Sequence, residues 1–298
     1  MTLIELVDAQ SARLKSAGVS FGHGTTNAFD EAAWLVLWAL GIGFDAFEAQ
    51  AQRVASADEV AKAEALVTER IESRRPAAYL TREAWLQNVP FYVDERAIVP
   101  RSFIAELLAD GEGTGVLDAW LSERTHRVLD LCTGNGSLAV IAAMAYPEVV
   151  VDAADISDDA LAVARINVDK HKLGKRITLV KSDLLADVHG PYDLIVCNPP
   201  YVNAHSMAAL PPEYRAEPAI ALAGGADGMD AVRRILRDAP AQMSRDAVLV
   251  LEIGHERRHF EAAFPRLEVA WLETSAGADE VLVVTREALV AYAKKAAR

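Results

Sequence analysis

The chain has 298 residues, 52% of them hydrophobic and 24% charged, with a formal net charge of −13. That is enough apolar chain for two ordinary domains, and its acidity works against stable binding to phosphate backbones while favouring a basic protein partner. Two cysteines, Cys132 and Cys197, make neither a disulfide scaffold nor a zinc-ligand spacing, and no apolar run reaches the roughly 18 residues of a membrane span.

The N-terminal stretch alternates charged with apolar residues and lacks the order of a signal peptide, so a cytoplasmic location is expected. Residues 1–82 read as a helical domain. Asp30 to Leu40 is apolar nearly all round and predicts a buried helix, with Asn27 or Asp30 near its start. His23, between two glycines, reads as a turn residue. Ser56 and Glu59 have capping-box spacing and open a helix running toward Pro76. Residues 83–117 read as a linker. Apolar triplets around Asp94-Glu95-Arg96 predict a β-hairpin over Phe91–Arg101, and Ser102 can cap a helix through Leu108. Arg101 is expected to tie this linker to the domain that follows. Gly111, Gly113 and Gly115 predict a turn.

Residues 118–298 alternate strand and helix patterns from His126 onward, which predicts a doubly wound, mostly parallel α/β sheet. The last two strand patterns are close enough in sequence to pair antiparallel. Such sheets bind ligands at the carboxyl ends of their strands. Four successive strand ends carry Asp130, Asp155, Asp183 and Asn198. Gly134 and Gly136, in "VLDLCTGNGSLA", allow a tight turn and close backbone approach to a ligand. Gly134-x-Gly136-x-x-Ala139 with Asp155 also fits a dinucleotide fingerprint. Asp130, four residues before Gly134, argues instead for a ligand with cationic groups, since a pyrophosphate would avoid that carboxylate. The fourth strand ends in Asn198-Pro199-Pro200-Tyr201, where the prolines are rigid and have no N–H to donate. Cys132 and Cys197 fall on strand ends that can be neighbours and read as free thiols.

Residues Asp130 to Ser137, Asp155, Asp183 and Asn198 to Tyr201 resemble a class I S-adenosylmethionine-dependent methyltransferase. The tetrapeptide is similar to that of enzymes methylating a planar nitrogen, and "EYRAEPAIALAGGADG" (Glu213–Gly228) to the protein glutamine methyltransferases. "FGHGTTNAFDEAAWLVL" (Phe21–Leu37) and Arg74–Leu108 resemble the branch acting on large-subunit ribosomal protein three (uL3). The resemblance implies a seven-stranded sheet and S-adenosylmethionine as methyl donor. It implies cofactor contacts from Asp130, Thr133, Gly134, Asn135, Gly136, Ser137, Asp155, Ile156, Asp183, Leu184 and Asn198. Asn198, Pro199, Pro200 and Tyr201 would hold the methyl acceptor, and residues 1–82 would recognise the substrate. The domain from Asp118 onward would then suffice to bind the cofactor. A release-factor glutamine methyltransferase, an adenine or guanine N-methyltransferase, and a non-catalytic nucleotide-binding assembly factor are the alternatives.

Overall fold

Thr2 and Ser56 both form capping boxes, with Glu5 and Glu59, and so start helices Leu3–Ser16 and Ala57–Ser73. Between them, Asn27 caps helix Ala28–Leu40, which stops at Gly41 with φ +66°. These helices bury Leu3, Leu6, Leu14, Leu35 and Val67 in a core of their own. The computed structural model describes residues 1–109 and 115–296; the expected turn glycines Gly111 and Gly113 lie outside the described residues.

The hairpin is present but displaced. Its strands are β1 (Ala84–Leu86) and β2 (Val89–Phe91), paired antiparallel around Gln87 and Asn88. Both turn residues have positive φ, 49° and 60°, as a two-residue hairpin turn requires. Asp94-Glu95-Arg96, where the turn was expected, is a local loop in which the Asp94 carboxylate accepts from the Arg96 backbone and guanidinium. The charged triplet is therefore a turn, but no strand follows it. The linker is split between two cores. Ala84, Val93 and Val99 pack with the helical domain, whereas Phe91, Ile104 and Leu108 pack under the main sheet.

That sheet contains β3 (Arg127–Leu131), β4 (Val150–Asp155), β5 (Ile177–Lys181), β6 (Tyr192–Cys197), β7 (Met243–Glu252), β8 (Ala270–Thr274) and β9 (Gly277–Thr285). The strand order is β5-β4-β3-β6-β7-β9-β8, parallel except for the antiparallel β9 with its neighbours β7 and β8. Alternate residues feed opposite faces: Leu194 and Val196 enter one core, Ile195 and Cys197 the other. The order reverses direction between β3 and β6, which is where open sheets hold ligands. Leu131 pairs with Cys197 there, so the glycine loop and Asn198 leave the sheet side by side. Helices Ala204–Ala209 and Arg286–Ala296 were not anticipated from sequence.

A buried ionic joint fastens the helical domain to the segment after the tetrapeptide. The fully buried Arg70 reaches Glu31 at 2.8 Å, Glu213 at 3.3 Å and the Ser20 carbonyl at 3.0 Å. Arg101 binds both carboxylate oxygens of Glu217, at 2.6 and 2.8 Å, which ties down the linker as expected. His23 sits in a turn, as expected, spanned by the Gly22 N–H donating to the Thr25 carbonyl at 2.8 Å, and it is also buried, with Nε2 3.3 Å from Glu217. Burial pushes the Glu217 carboxyl upward, but Arg101 and His23 outweigh it and hold it down at about 2.

Candidate active site

The glycine loop is tied from below and beside. Asp130 Oδ2 accepts from Thr133 Oγ1 at 2.5 Å and from the Ala139 N–H at 2.9 Å. Its Oδ1 is buried with no partner among the described residues, and burial raises its carboxyl to about 7. Asp155 accepts from the Gly134 N–H through Oδ2 and from the Ser157 N–H through Oδ1, both at 2.9 Å. Burial raises its pKa against the pull of these N–H groups. Gly134 has φ +56°, and a Cβ there would meet no protein atom within 4 Å. The loop therefore faces open space. Asn135 accepts from the Ser137 N–H and is held through its own carbonyl by Asn167.

That space is a cavity of about 280 Å³. Gly134, Asp155, Ile156, Asp183, Leu184 and Asn198 line it, as the sequence reading expects. Asp130, Thr133, Asn135, Gly136 and Ser137 do not; they shape the loop from behind. The Asp130 carboxylate lies beneath the loop, where it accepts from Thr133 and from the Ala139 N–H. Asp183 is half-exposed and paired with Arg234 at 2.7 Å. Cys132 and Leu184 also line the cavity at φ 61° and 53°, a strained region for side-chain-bearing residues. Both thiols are free. Ile98, in the linker, forms part of the wall, so a boundary at Asp118 cuts through the site.

A second cavity, of about 690 Å³, lies across the tetrapeptide. Pro199 and Tyr201 line it, together with Gly22, Thr25, Arg101 and Glu252. Asn198 lines both cavities. Its Nδ2 donates to Glu252 Oε1 at 3.1 Å. No donor among the described residues reaches the Asn198 Oδ1 or the Pro199 carbonyl. Tyr201 is gripped by glycines: a Cβ on Gly228 would lie 2.2 Å from its carbonyl oxygen, and one on Gly254 2.6 Å from its ring. The Glu213–Gly228 segment thus braces the tetrapeptide, with Val202 N–H donating to the Leu222 carbonyl at 2.8 Å.

Sequence reasoning missed Glu252, which ends β7 at the same edge. Its signal was available, since it closes the apolar run "AVLVLE" as Asp155 closes β4. Glu213 and Glu217 gave no such signal, because their partners lie more than a hundred residues away.

The methyltransferase small domain model matches residues 109–210. The ribosomal protein uL3 glutamine methyltransferase of Bordetella pertussis is 52% identical, over 97% of this chain and 96% of that protein. Its namesake from Burkholderia pseudomallei is 51% identical, over 98% and 97% of the two chains. The one from Neisseria gonorrhoeae is 46% identical, over 97% and 96%. Likeness at this level over nearly the whole length places the chain in the ribosomal protein uL3 glutamine methyltransferase family.

Proposed function

We propose that this chain transfers a methyl group from S-adenosylmethionine to the side-chain amide nitrogen of a glutamine in ribosomal protein uL3. The observation that carries the reading is the pair of unused acceptors, Asn198 Oδ1 and the Pro199 carbonyl, at the wall between two cavities. An amide nitrogen is a poor nucleophile, since its lone pair is delocalised into the carbonyl. Its two N–H bonds must be held so that its face meets the methyl carbon. Two fixed acceptors do this, and Pro199 and Pro200 add no competing donor. Tyr201, immobilised by its glycines, packs over the planar group.

S-adenosylmethionine supplies, when bound, a methyl already activated on a sulfonium. The smaller cavity fits it in donor set: Asp155 for ribose hydroxyls, Ile156 and Leu184 as apolar walls, Asp183 as an acceptor for an amino group. Gly134 leaves room for close approach, while Asp130, Thr133, Asn135, Gly136 and Ser137 hold the loop in shape. The larger cavity exceeds what one amide side chain needs, and Gly22, Gly24, Thr25 and Thr26 of the helical domain form part of it. That supports substrate recognition by residues 1–82 with the linker 83–117. A net charge of −13 suits a basic ribosomal protein, and such a substrate supports a cytoplasmic setting. Among the described residues no single helix is long and apolar enough to cross a membrane.

The test is incubation with radiolabelled S-adenosylmethionine and either purified uL3 or a release factor, both from cells lacking the modification. Label on a uL3 glutamine is expected, at a rate at least about a hundredfold above that on the release factor, equivalent to about 2.7 kcal/mol. Equal rates would remove the ribosomal assignment, and label in RNA would replace the protein substrate with a nucleic acid.

A further inference from the structure

We propose that Glu252 is a positioning residue that fixes which way the Asn198 amide faces, and couples that setting to the linker. The inference rests on the clamp role given to Asn198 above. An asparagine side chain can present either its oxygen or its NH2 to a substrate, and only the oxygen can accept from a substrate amide. Glu252 stands at the end of β7, 2% exposed, one strand from Asn198. Its Oε1 accepts from Asn198 Nδ2 at 3.1 Å and lies 3.5 Å from the Tyr201 hydroxyl. An ionised carboxylate has no hydrogen to donate, so the NH2 of Asn198 must face it. Oδ1 is thereby turned away and left free. Were the amide to rotate, its NH2 would oppose the substrate NH2, two donors against each other.

The other oxygen of Glu252 is held from the linker. Oε2 accepts from Ser102 Oγ at 2.5 Å and from the Phe103 N–H at 2.9 Å. The same linker carries Arg101, which is bound to Glu217 in the interdomain joint. One carboxylate therefore spans the tetrapeptide and the segment that docks the helical domain. Glu252 lines the larger cavity and not the smaller, so its effect falls on the acceptor side of the reaction. Burial, and then the nearby charge of Glu280, raise its carboxyl to about 7, so the Asn198 setting belongs to the ionised form and the measurements below are made at a pH well above that value. Glu280 is itself paired with His255 at 2.9 Å, and Tyr201 faces Glu252 alongside Arg101.

The experiment uses the full-length protein saturated with S-adenosylhomocysteine. The Asn198 side-chain NH2 is assigned in a nitrogen-15 spectrum by its loss in Asn198→Asp. In wild type it should exchange slowly, as a hydrogen-bonded pair; in Glu252→Ala that protection should vanish. With uL3 as substrate, kcat should fall about a hundredfold in Glu252→Ala, the effect of small misplacement at a reacting atom. Glu252→Gln, nearly isosteric, should restore part of it. Affinity for S-adenosylhomocysteine should stay within about threefold of wild type, since the cofactor cavity is untouched. Unprotected Asn198 NH2 in wild type, or wild-type kcat in a folded Glu252→Gln and Glu252→Ala pair, overturns the proposal. Failure of wild type to methylate uL3 would sink the substrate reading alone, because the NH2 signal still decides this one.

Discussion

The two cavities that meet at Asn198 are assembled by different means. The smaller one is made chiefly by successive strand ends of a single sheet, each delivering its residue by the same local rule. The larger one draws on the helical domain, the linker, β6, β7 and β9, joined through buried ion pairs. Repetition makes the first tolerant in design: each strand end is positioned by its own ladder. The second depends on every piece being docked, so damage far from Asn198 should reach it.

The sharpest way to break the comparison is to undo the docking. Arg70→Met leaves Glu31 buried without its cation and Glu213 with Arg74 alone, at 2.8 Å, and removing one partner of a buried pair costs about 3–5 kcal/mol. Urea unfolding should show that loss; a change within the scatter of surface substitutions would mean the joint is incidental. Next comes the shared wall. Asn198→Ala should lower kcat on uL3 about a hundredfold, with a smaller loss of S-adenosylhomocysteine affinity because Asn198 touches both cavities. A folded variant turning over at the wild-type rate would remove the clamp. Asp155→Ala should show the opposite split. Calorimetry should give at least about tenfold weaker S-adenosylhomocysteine binding, as expected for losing hydrogen bonds to a charged acceptor. Unchanged affinity would move the ribose elsewhere.

A pH series sharpens the contrast further. Asp130, behind the glycine loop of the smaller cavity, is raised by burial to about 7 from 3.8, so its contribution to stability is complete below about 4 and lost as pH rises through 7. Glu217 in the docking joint is held at about 2 from 4.5, so its contribution is present above 4.5 and lost as pH falls toward 2. Thermal melts should therefore show Asp130→Asn flattening the neutral side of the profile and Glu217→Gln the acid side. Identical profiles for both variants would contradict these assignments. The smallest effect is expected at the rim. Arg234 and Asp183 are about half exposed, and such a pair is worth under about 1 kcal/mol. Arg234→Ala should change cofactor affinity by no more than about fivefold.

Legibility in the sequence follows the same division. The strands from Arg127 onward, and most helices between them though not Ala204–Ala209, could be placed because alternation and capping act over a few residues. The ends of β3, β4 and β6 revealed their polar residues because each closes an apolar run. The hairpin was misplaced because Asp94-Glu95-Arg96 and Gln87-Asn88 are both plausible turns, and only the latter has strands on both sides to pair. His23 and Glu217 were opaque for a stronger reason. A buried charge is intelligible only with its partner, and nothing local in either segment names the other.

The distance between Arg70 and Glu213 along the chain is 143 residues. On a ribosome adding about 5–20 residues per second, the guanidinium emerges on the order of ten seconds before its second carboxylate. In that interval Glu31 is the one carboxylate of the joint already made. The helical domain can draw its apolar core together early, yet the face around Arg70 stays unsealed until nearly three quarters of the chain has been translated. A chain proposed to modify a ribosomal protein is thus, during its own synthesis, obliged to wait on the ribosome for the segment that completes it.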